Sequence, residues 1–190
     1  MRSFKNITAA VLVMVAASLP LLANDDQFML LATTRTSTMQ KELDAATQNG
    51  FRLVVASGLS GQEIGLMMEK IPNESEKYGY RLLATQRTGT MQKEISAAAA
   101  EGFRVHLRGL TTKAGTSARS MLSSEPDVEI VVIMERDPNQ SGKEYEYKFL
   151  ATSRTGTLQK EITEAVKEGY SLRAFSSRGE HLAIMEREKK

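Results

Sequence analysis

From Tyr145 the chain alternates. Tyr145, Tyr147, Phe149 and Ala151 are separated by Glu146, Lys148 and Leu150, the two-residue period of a half-buried strand. At Leu158 the period changes: Leu158, Ile162, Ala165 and Val166 fall at i, i+4, i+7 and i+8, on one stripe of a helix. Gly169 then stands where a left-handed helix stop is wanted. Tyr170, Leu172 and Ala174 alternate with Ser171 and Arg173 as a second strand, and after a loop at Ser176 to Gly179, His181 to Met185 gives a third. The pattern predicts strand–helix–strand–strand, with a right-handed crossover between the first two strands and a hairpin between the last two.

This unit is written three times. The run Leu30 to Leu43, with Thr33-Thr34-Arg35-Thr36-Ser37-Thr38-Met39-Gln40-Lys41-Glu42 inside it, returns from Leu82 to Ile95 and again from Phe149 to Ile162. Each copy continues with Gly and an aromatic (Gly50-Phe51, Gly102-Phe103, Gly169-Tyr170). Each closes on Met, Glu and a base: Met68-Glu69-Lys70, Met134-Glu135-Arg136 and Met185-Glu186-Arg187. The copies therefore span 24–70, 78–136 and 145–190. A Ser/Thr-rich insertion, 110–127, lengthens the second, and linkers carrying Pro72-Asn73 and Pro138-Asn139 separate them. A unit of about 45 residues buries little core by itself, so packing between copies must supply stability. The expected fold is α+β: three tandem β-α-β-β repeats, each with a small sheet and one packed helix, pseudo-threefold in one compact domain.

A strand, a helix ending in Gly, an aromatic opening the second strand and a last strand ending in a base resemble a small bacterial domain family of unknown function. In that family the Gly is often followed by Trp; here the residues are Phe51, Phe103 and Tyr170, and the chain has no Trp. The resemblance covers each copy and implies the fold. It brings no activity with it.

Ahead of the repeats, residues 1–23 read as a secretory signal. Arg2 and Lys5 form a basic start, Ile7 to Leu22 is almost wholly apolar, Pro20 breaks the run, and Ala23 is a small residue at which cleavage is expected. The apolar run is short of the ~20 residues of a membrane span. Without Cys it cannot be a lipoprotein anchor. The expectation is a periplasmic or secreted protein with no membrane span in its mature part. Export also corrects the charge. The full chain has 25 Lys and Arg against 23 Asp and Glu, and losing Arg2 and Lys5 brings the two into balance, which argues against a nucleic-acid partner.

Little in the sequence can do chemistry. With no Cys there is no thiolate nucleophile and no Cys-ligated metal, and the two His, His106 and His181, have no acidic orienter nearby in sequence. His106 is expected to face solvent beside Arg104 and Arg108, which disfavour its charged form. Met39, Met68, Met91, Met134 and Met185 occupy core-phase repeat positions and read as core filling, so no metal or other cofactor is expected. Glu69, Glu135 and Glu186 read as strand-edge charges or as partners of the turn arginines.

The one constellation that invites a chemical reading is the strand-to-helix turn, Arg35-Thr36-Ser37-Thr38, Arg87-Thr88-Gly89-Thr90 and Arg154-Thr155-Gly156-Thr157. A helix N-terminus with an adjacent guanidinium and hydroxyls suits phosphate, sulfate or carboxylate. Arg35, Thr36, Thr38, Arg87, Thr88, Thr90, Arg154, Thr155 and Thr157 are thus candidate anion-binding residues. The competing reading is capping, with Ser37, Gly89 and Gly156 (or Thr38, Thr90 and Thr157) as N-caps and Gln40, Gln92 and Gln159 closing a capping-box variant. Capping takes precedence, because a repeat must recap its helix each time it recurs. The functional expectation is a non-enzymatic exported module that binds an envelope protein or acts structurally. The alternative is a binder of an anionic small molecule.

Overall fold

The computed structural model describes residues 27–59, 62–72, 77–114, 128–140, 142–178 and 180–189. The expected signal segment, 1–23, lies outside them, as does most of the insertion. Unit 1 comprises β1 (Phe28–Thr33), α1 (Thr36–Gln48), β2 (Phe51–Gly58) and β3 (Ile64–Lys70). Unit 2 comprises β4 (Gly79–Thr85), α2 (Thr88–Ala100), β5 (Arg104–Ala114) and β6 (Val128–Arg136). Unit 3 comprises β7 (Tyr145–Thr152), α3 (Thr155–Lys167), β8 (Ser171–Arg178) and β9 (Glu180–Glu188). The three β-α-β-β units are thus present, each a three-stranded antiparallel sheet with one helix.

In every sheet the last strand lies between the other two, in the orders β1-β3-β2, β4-β6-β5 and β7-β9-β8. The strand before the helix and the strand after it run the same way, and the third fills the gap antiparallel to both. The register explains the repeated sequence marks. Lys70 stands opposite Phe51 across β2–β3, and its ammonium lies 5.2 Å from the ring centre. Arg136 lies over Phe103 at 4.9 Å and Arg187 over Tyr170 at 4.4 Å. The base closing each copy therefore stacks on the aromatic that opens its second strand. The glycine before that aromatic has φ of 79°, 85° and 88° at Gly50, Gly102 and Gly169. In units 2 and 3 the helix ends on a 6→1 bond, from the N–H of Phe103 to the carbonyl of Ala98 and from Tyr170 to Ala165, the Schellman closure that needs such a residue.

The insertion begins later than expected. Leu110 to Ala114 continue β5 and pair with Val128 to Val132 of β6, and Leu110, Thr111, Thr112 and Lys113 are buried. Their hydroxyls and the Lys charge give them a loop-like composition, but their backbone completes a ladder and their side chains reach unit 1. Residues 115–127 lie outside the described residues.

Cores are shared between neighbours. One contains Met39, Leu43 and Ala46 of α1 and Ile64, Leu66 and Met68 of β3, together with Tyr78, Tyr80, Val131 and Ile133 of unit 2. The next repeats this one unit on: Met91, Ile95 and Ala98 of α2 with Tyr145, Tyr147, Leu182 and Ile184 of unit 3. The packing that joins units links consecutive copies, α1 on β4 and β2 on β5, then α2 on β7 and β5 on β8. The copies are therefore successive members of a row, the sheets of units 2 and 3 each backed by the helix of the copy before. Met39, Met68, Met91, Met134 and Met185 are all fully buried, as core filling requires.

Candidate functional site

The turns that attracted attention in the sequence are simple. Arg35, Arg87 and Arg154 are the N-cap residues themselves, in extended conformation, and no side chain caps the first turn of any helix. Each turn is held from behind: the hydroxyls of Thr33, Thr85 and Thr152 accept from the N–H of Arg35, Arg87 and Arg154 at 3.1–3.2 Å. The capping-box expectation is therefore corrected, because Gln40 and Gln92 are used elsewhere. The three guanidinium groups are exposed and make no side-chain hydrogen bond among the described residues. Thr36, Thr38, Thr88, Thr90, Thr155 and Thr157 lie beside them, between half-buried and exposed. The first turn borders a cavity of about 350 Å³, whose lining includes Arg35, Thr36, Lys113 and Glu129 but neither Arg87 nor Arg154. Lys113 is 4 % exposed and fully engaged, donating to the Thr34 carbonyl at 2.6 Å and pairing with Glu129 at 2.9 Å.

What the sequence concealed is the joint between units. The first is built by Arg52 of β2, Tyr80 of β4 and Glu135 of β6. Arg52 forks onto Glu135, Nε to Oε2 at 3.1 Å and Nη2 to Oε1 at 2.8 Å, and its guanidinium lies 4.3 Å from the Tyr78 ring centre. The Tyr80 hydroxyl donates to Glu135 Oε2 at 2.6 Å and accepts from the Leu53 N–H at 3.0 Å. Gln40 of α1 reaches the outer edge of β4, donating to the Tyr80 carbonyl at 3.1 Å and accepting from the Leu82 N–H at 2.8 Å. An amide that satisfies both backbone groups in this way closes a strand edge against further pairing.

The second joint repeats the first. Arg104 forks onto Glu186 at 2.9 and 2.6 Å and lies 4.1 Å from the Tyr145 ring centre. The Tyr147 hydroxyl donates to Glu186 at 2.8 Å and accepts from Val105 N–H at 3.2 Å. Gln92 donates to the Tyr147 carbonyl at 3.0 Å and accepts from Phe149 N–H at 2.7 Å. Arg173 Nε also donates to the Val105 carbonyl at 2.7 Å. Glu135 and Glu186 are thus corrected from edge charges: they sit on central strands, paired with the Arg after the Gly-aromatic pair of the preceding copy rather than with a turn Arg.

Burial fixes the ionisation of these groups. Burial alone would push the Glu135 carboxyl up, but the hydrogen bonds from Arg52 and Tyr80 outweigh it and hold the group below the usual carboxylate range. The Tyr80 and Tyr147 phenols are pushed up, first by burial and then by the facing carboxylate, so they remain donors. His106 does not face solvent as its alternation suggested. It stands in the bulge of β5, where His106 to Gly109 oppose the single Ile133, and it is half-buried near the Arg52–Glu135 pair. Burial lowers its pKa, with Arg52 and Arg173 acting the same way and Glu135 opposing them. His181 is half-buried, with its Nδ1 2.7 Å from the Ser177 hydroxyl.

At the two ends of the row the same positions are open. Tyr80 and Tyr147 are 6 % and 5 % exposed, but their counterpart Phe28 is 49 % exposed, and Leu30 is 58 % exposed. Leu53 and Val105 are buried, but Leu172 at the same place is 53 % exposed. Of the α3 stripe, Leu158 and Ala165 are buried, Ile162 is half-buried and Val166 is exposed. The polar parts differ too. Ser171 replaces the clasp Arg in unit 3, and Phe28 replaces the clasp Tyr in unit 1.

No group of three or more His, Cys, Asp or Glu positioned to hold a metal occurs among the described residues, and no described helix is long and apolar enough to cross a membrane. Comparison with protein-family models, with curated proteins and with solved structures gives no match for this chain.

Proposed function

We propose that the protein is an exported, non-enzymatic repeat module of the cell envelope that works by docking a protein partner on its end faces. The observation that carries this reading is the pair of uncovered apolar ends. Terminal repeats of a stacked protein are ordinarily polar on their outer side, whereas Phe28 and Leu30 at one end and Val166, Leu172 and Phe175 at the other are about half exposed or more. Large apolar side chains left exposed at both ends support interaction surfaces there. The segment 1–23 supports export, with cleavage after Ala23 and a periplasmic or secreted destination.

A second reading has its own support. The guanidinium groups of Arg35, Arg87 and Arg154, exposed at helix N-termini and without a side-chain partner among the described residues, suit a phosphate- or carboxylate-bearing small molecule. One experiment weighs both. Cells expressing the full chain are fractionated, the intact mass of the product is measured, and the purified protein is melted against phosphate, sulfate, nucleotides and dicarboxylates. The docking module is expected outside the cytoplasm, beginning at Asn24, with an unchanged midpoint. A cytoplasmic protein of full mass overturns the export reading. A concentration-dependent rise that disappears in a still-folded variant with all three Arg changed to Ala transfers the function to the turns.

A further inference from the structure

The two end faces are complementary halves of a joint the molecule already builds twice. The outgoing half in units 1 and 2 is a helix stripe, a Gln amide and an apolar residue two places after the Gly-aromatic pair. Unit 3 carries this half unused: Val166 and Leu172 are exposed, and Gln159, whose counterparts reach across to the next unit, bonds only within its own helix, to Thr163. The incoming half in units 2 and 3 is an edge strand offering a carbonyl at Tyr80 or Tyr147 and an N–H two residues on. In β1 the same places are Phe28 and Leu30, on the side away from β3, and no described side chain covers them.

We propose that copies of this chain join head to tail, with unit 3 of one copy taking unit 1 of the next in the arrangement that joins units 1 to 2 and 2 to 3. This rests on the docking-module reading and names a second copy as the partner. In this joint Gln159 closes the open edge at the Phe28 carbonyl and the Leu30 N–H, and Leu172 and Val166 cover the Phe28 and Leu30 side chains. Because the surfaces are different patches, and the main packing among the described residues joins only consecutive units, the association is heterologous and grows as an open series. Continuity with the internal joints makes a second copy the occupant that fits both ends at once.

The external joint is weaker than the internal ones by construction. Ser171 stands where Arg forks onto the carboxylate, Phe28 lacks the bridging hydroxyl, and Glu69 would meet only the Ser171 hydroxyl. A carboxylate brought to an interface without its cation opposes association. Copies therefore join reversibly, while the units inside each copy stay joined.

The test is sedimentation velocity across a concentration series, on protein purified from cells expressing the full chain. The wild type is expected to form concentration-dependent heavier species. The double variant Ser171→Arg/Phe28→Tyr completes the clasp with Glu69 and is expected to move assembly to concentrations at least about tenfold lower. Leu172→Asp and Phe175→Asp, at exposed positions, are expected to leave the melting midpoint unchanged and the copies single. Direction is read by mixing Gln159→Cys with Leu30→Cys copies and adding a short bis-maleimide: cross-links are expected between unlike copies and not between like ones. Single copies at roughly 1 mM in both wild type and double variant overturn the proposal. So do cross-links between like copies. In either case the docking-module reading is still judged separately, by the fractionation and ligand screen above.

Discussion

Leu53 and Leu172 are the same residue at the same place in two copies of one unit, and they live in different environments. Leu53 is 3 % exposed beneath unit 2, whereas Leu172 is 53 % exposed, with no further unit packed over it among the described residues. The backbone, the bulge beside each residue and the Met opposite (Met68 or Met185) are alike. The difference teaches that burial here is conferred by the neighbouring unit and only in part by the unit's own fold. An internal joint and an end face are one surface in two states of occupation.

Matched substitutions break that comparison most directly. Leu53→Ala is expected to cost about 3 kcal/mol in urea unfolding, and Leu172→Ala no more than about 0.5 kcal/mol when copies are kept dilute. Equal costs would mean that the joint contributes nothing. Next in size is the clasp. Arg104→Ala takes the forked partner from buried Glu186, leaving only the longer Arg173 pair at 3.5 Å, and should cost about 2 kcal/mol, moderated by that pair and by the partial exposure of Arg104. Arg52→Ala should cost less, since the Arg52 side chain is 40 % exposed. Ser171→Ala, at the open counterpart, should change stability by no more than a few tenths of a kcal/mol. Gln92→Ala removes two bonds to a strand edge and is expected to cost about 1 kcal/mol, whereas Gln159→Ala in dilute solution should be neutral.

The smallest effect sharpens the picture through pH. Glu135 is held below the usual carboxylate range when folded, so its stabilisation is complete above the unfolded value and is lost as pH falls through the folded one. His106 has a folded pKa below its ordinary 6.5, so below that pH the unfolded chain takes up a proton that the fold does not, and stability falls there as well. Thermal midpoints are expected to drop in two separate windows on the acid side. In His106→Asn the upper window disappears and the lower one remains; loss of both would mean that His106 and Glu135 titrate as one.

The fold was legible in the sequence because its determinants are local and periodic. Met39, Met91 and Leu158 head helix stripes, Gly50, Gly102 and Gly169 stop those helices, and the alternation from Tyr145 marks a strand. The joints were not legible for the opposite reason. Gln40 and Gln92 stand three residues beyond a candidate N-cap, which is where a capping box would place them, yet their partners are some forty to fifty-seven residues away across a unit boundary. Glu135 and Glu186 precede a base at a strand end, but which strand of a sheet lies in its middle cannot be read from one copy. A trace was there. Arg follows the Gly-aromatic pair in the first two copies only, and Tyr opens the strand at the 80/147 position in the last two only. A pattern missing from opposite ends of a row belongs to the contacts between its members.

The direction of the joint has a consequence for how the chain is made. Both α1 and α2 close the edge of a strand that lies later in the sequence: Gln40 waits for β4, and Gln92 for β7. A chain emerging N-terminus first therefore completes each unit with its outgoing surface still bare, and that surface stays bare until about fifty more residues have appeared. Folding and synthesis advance in the same direction. Each finished unit serves as the template against which the next is laid, and α3 is a template with no later strand on it among the described residues.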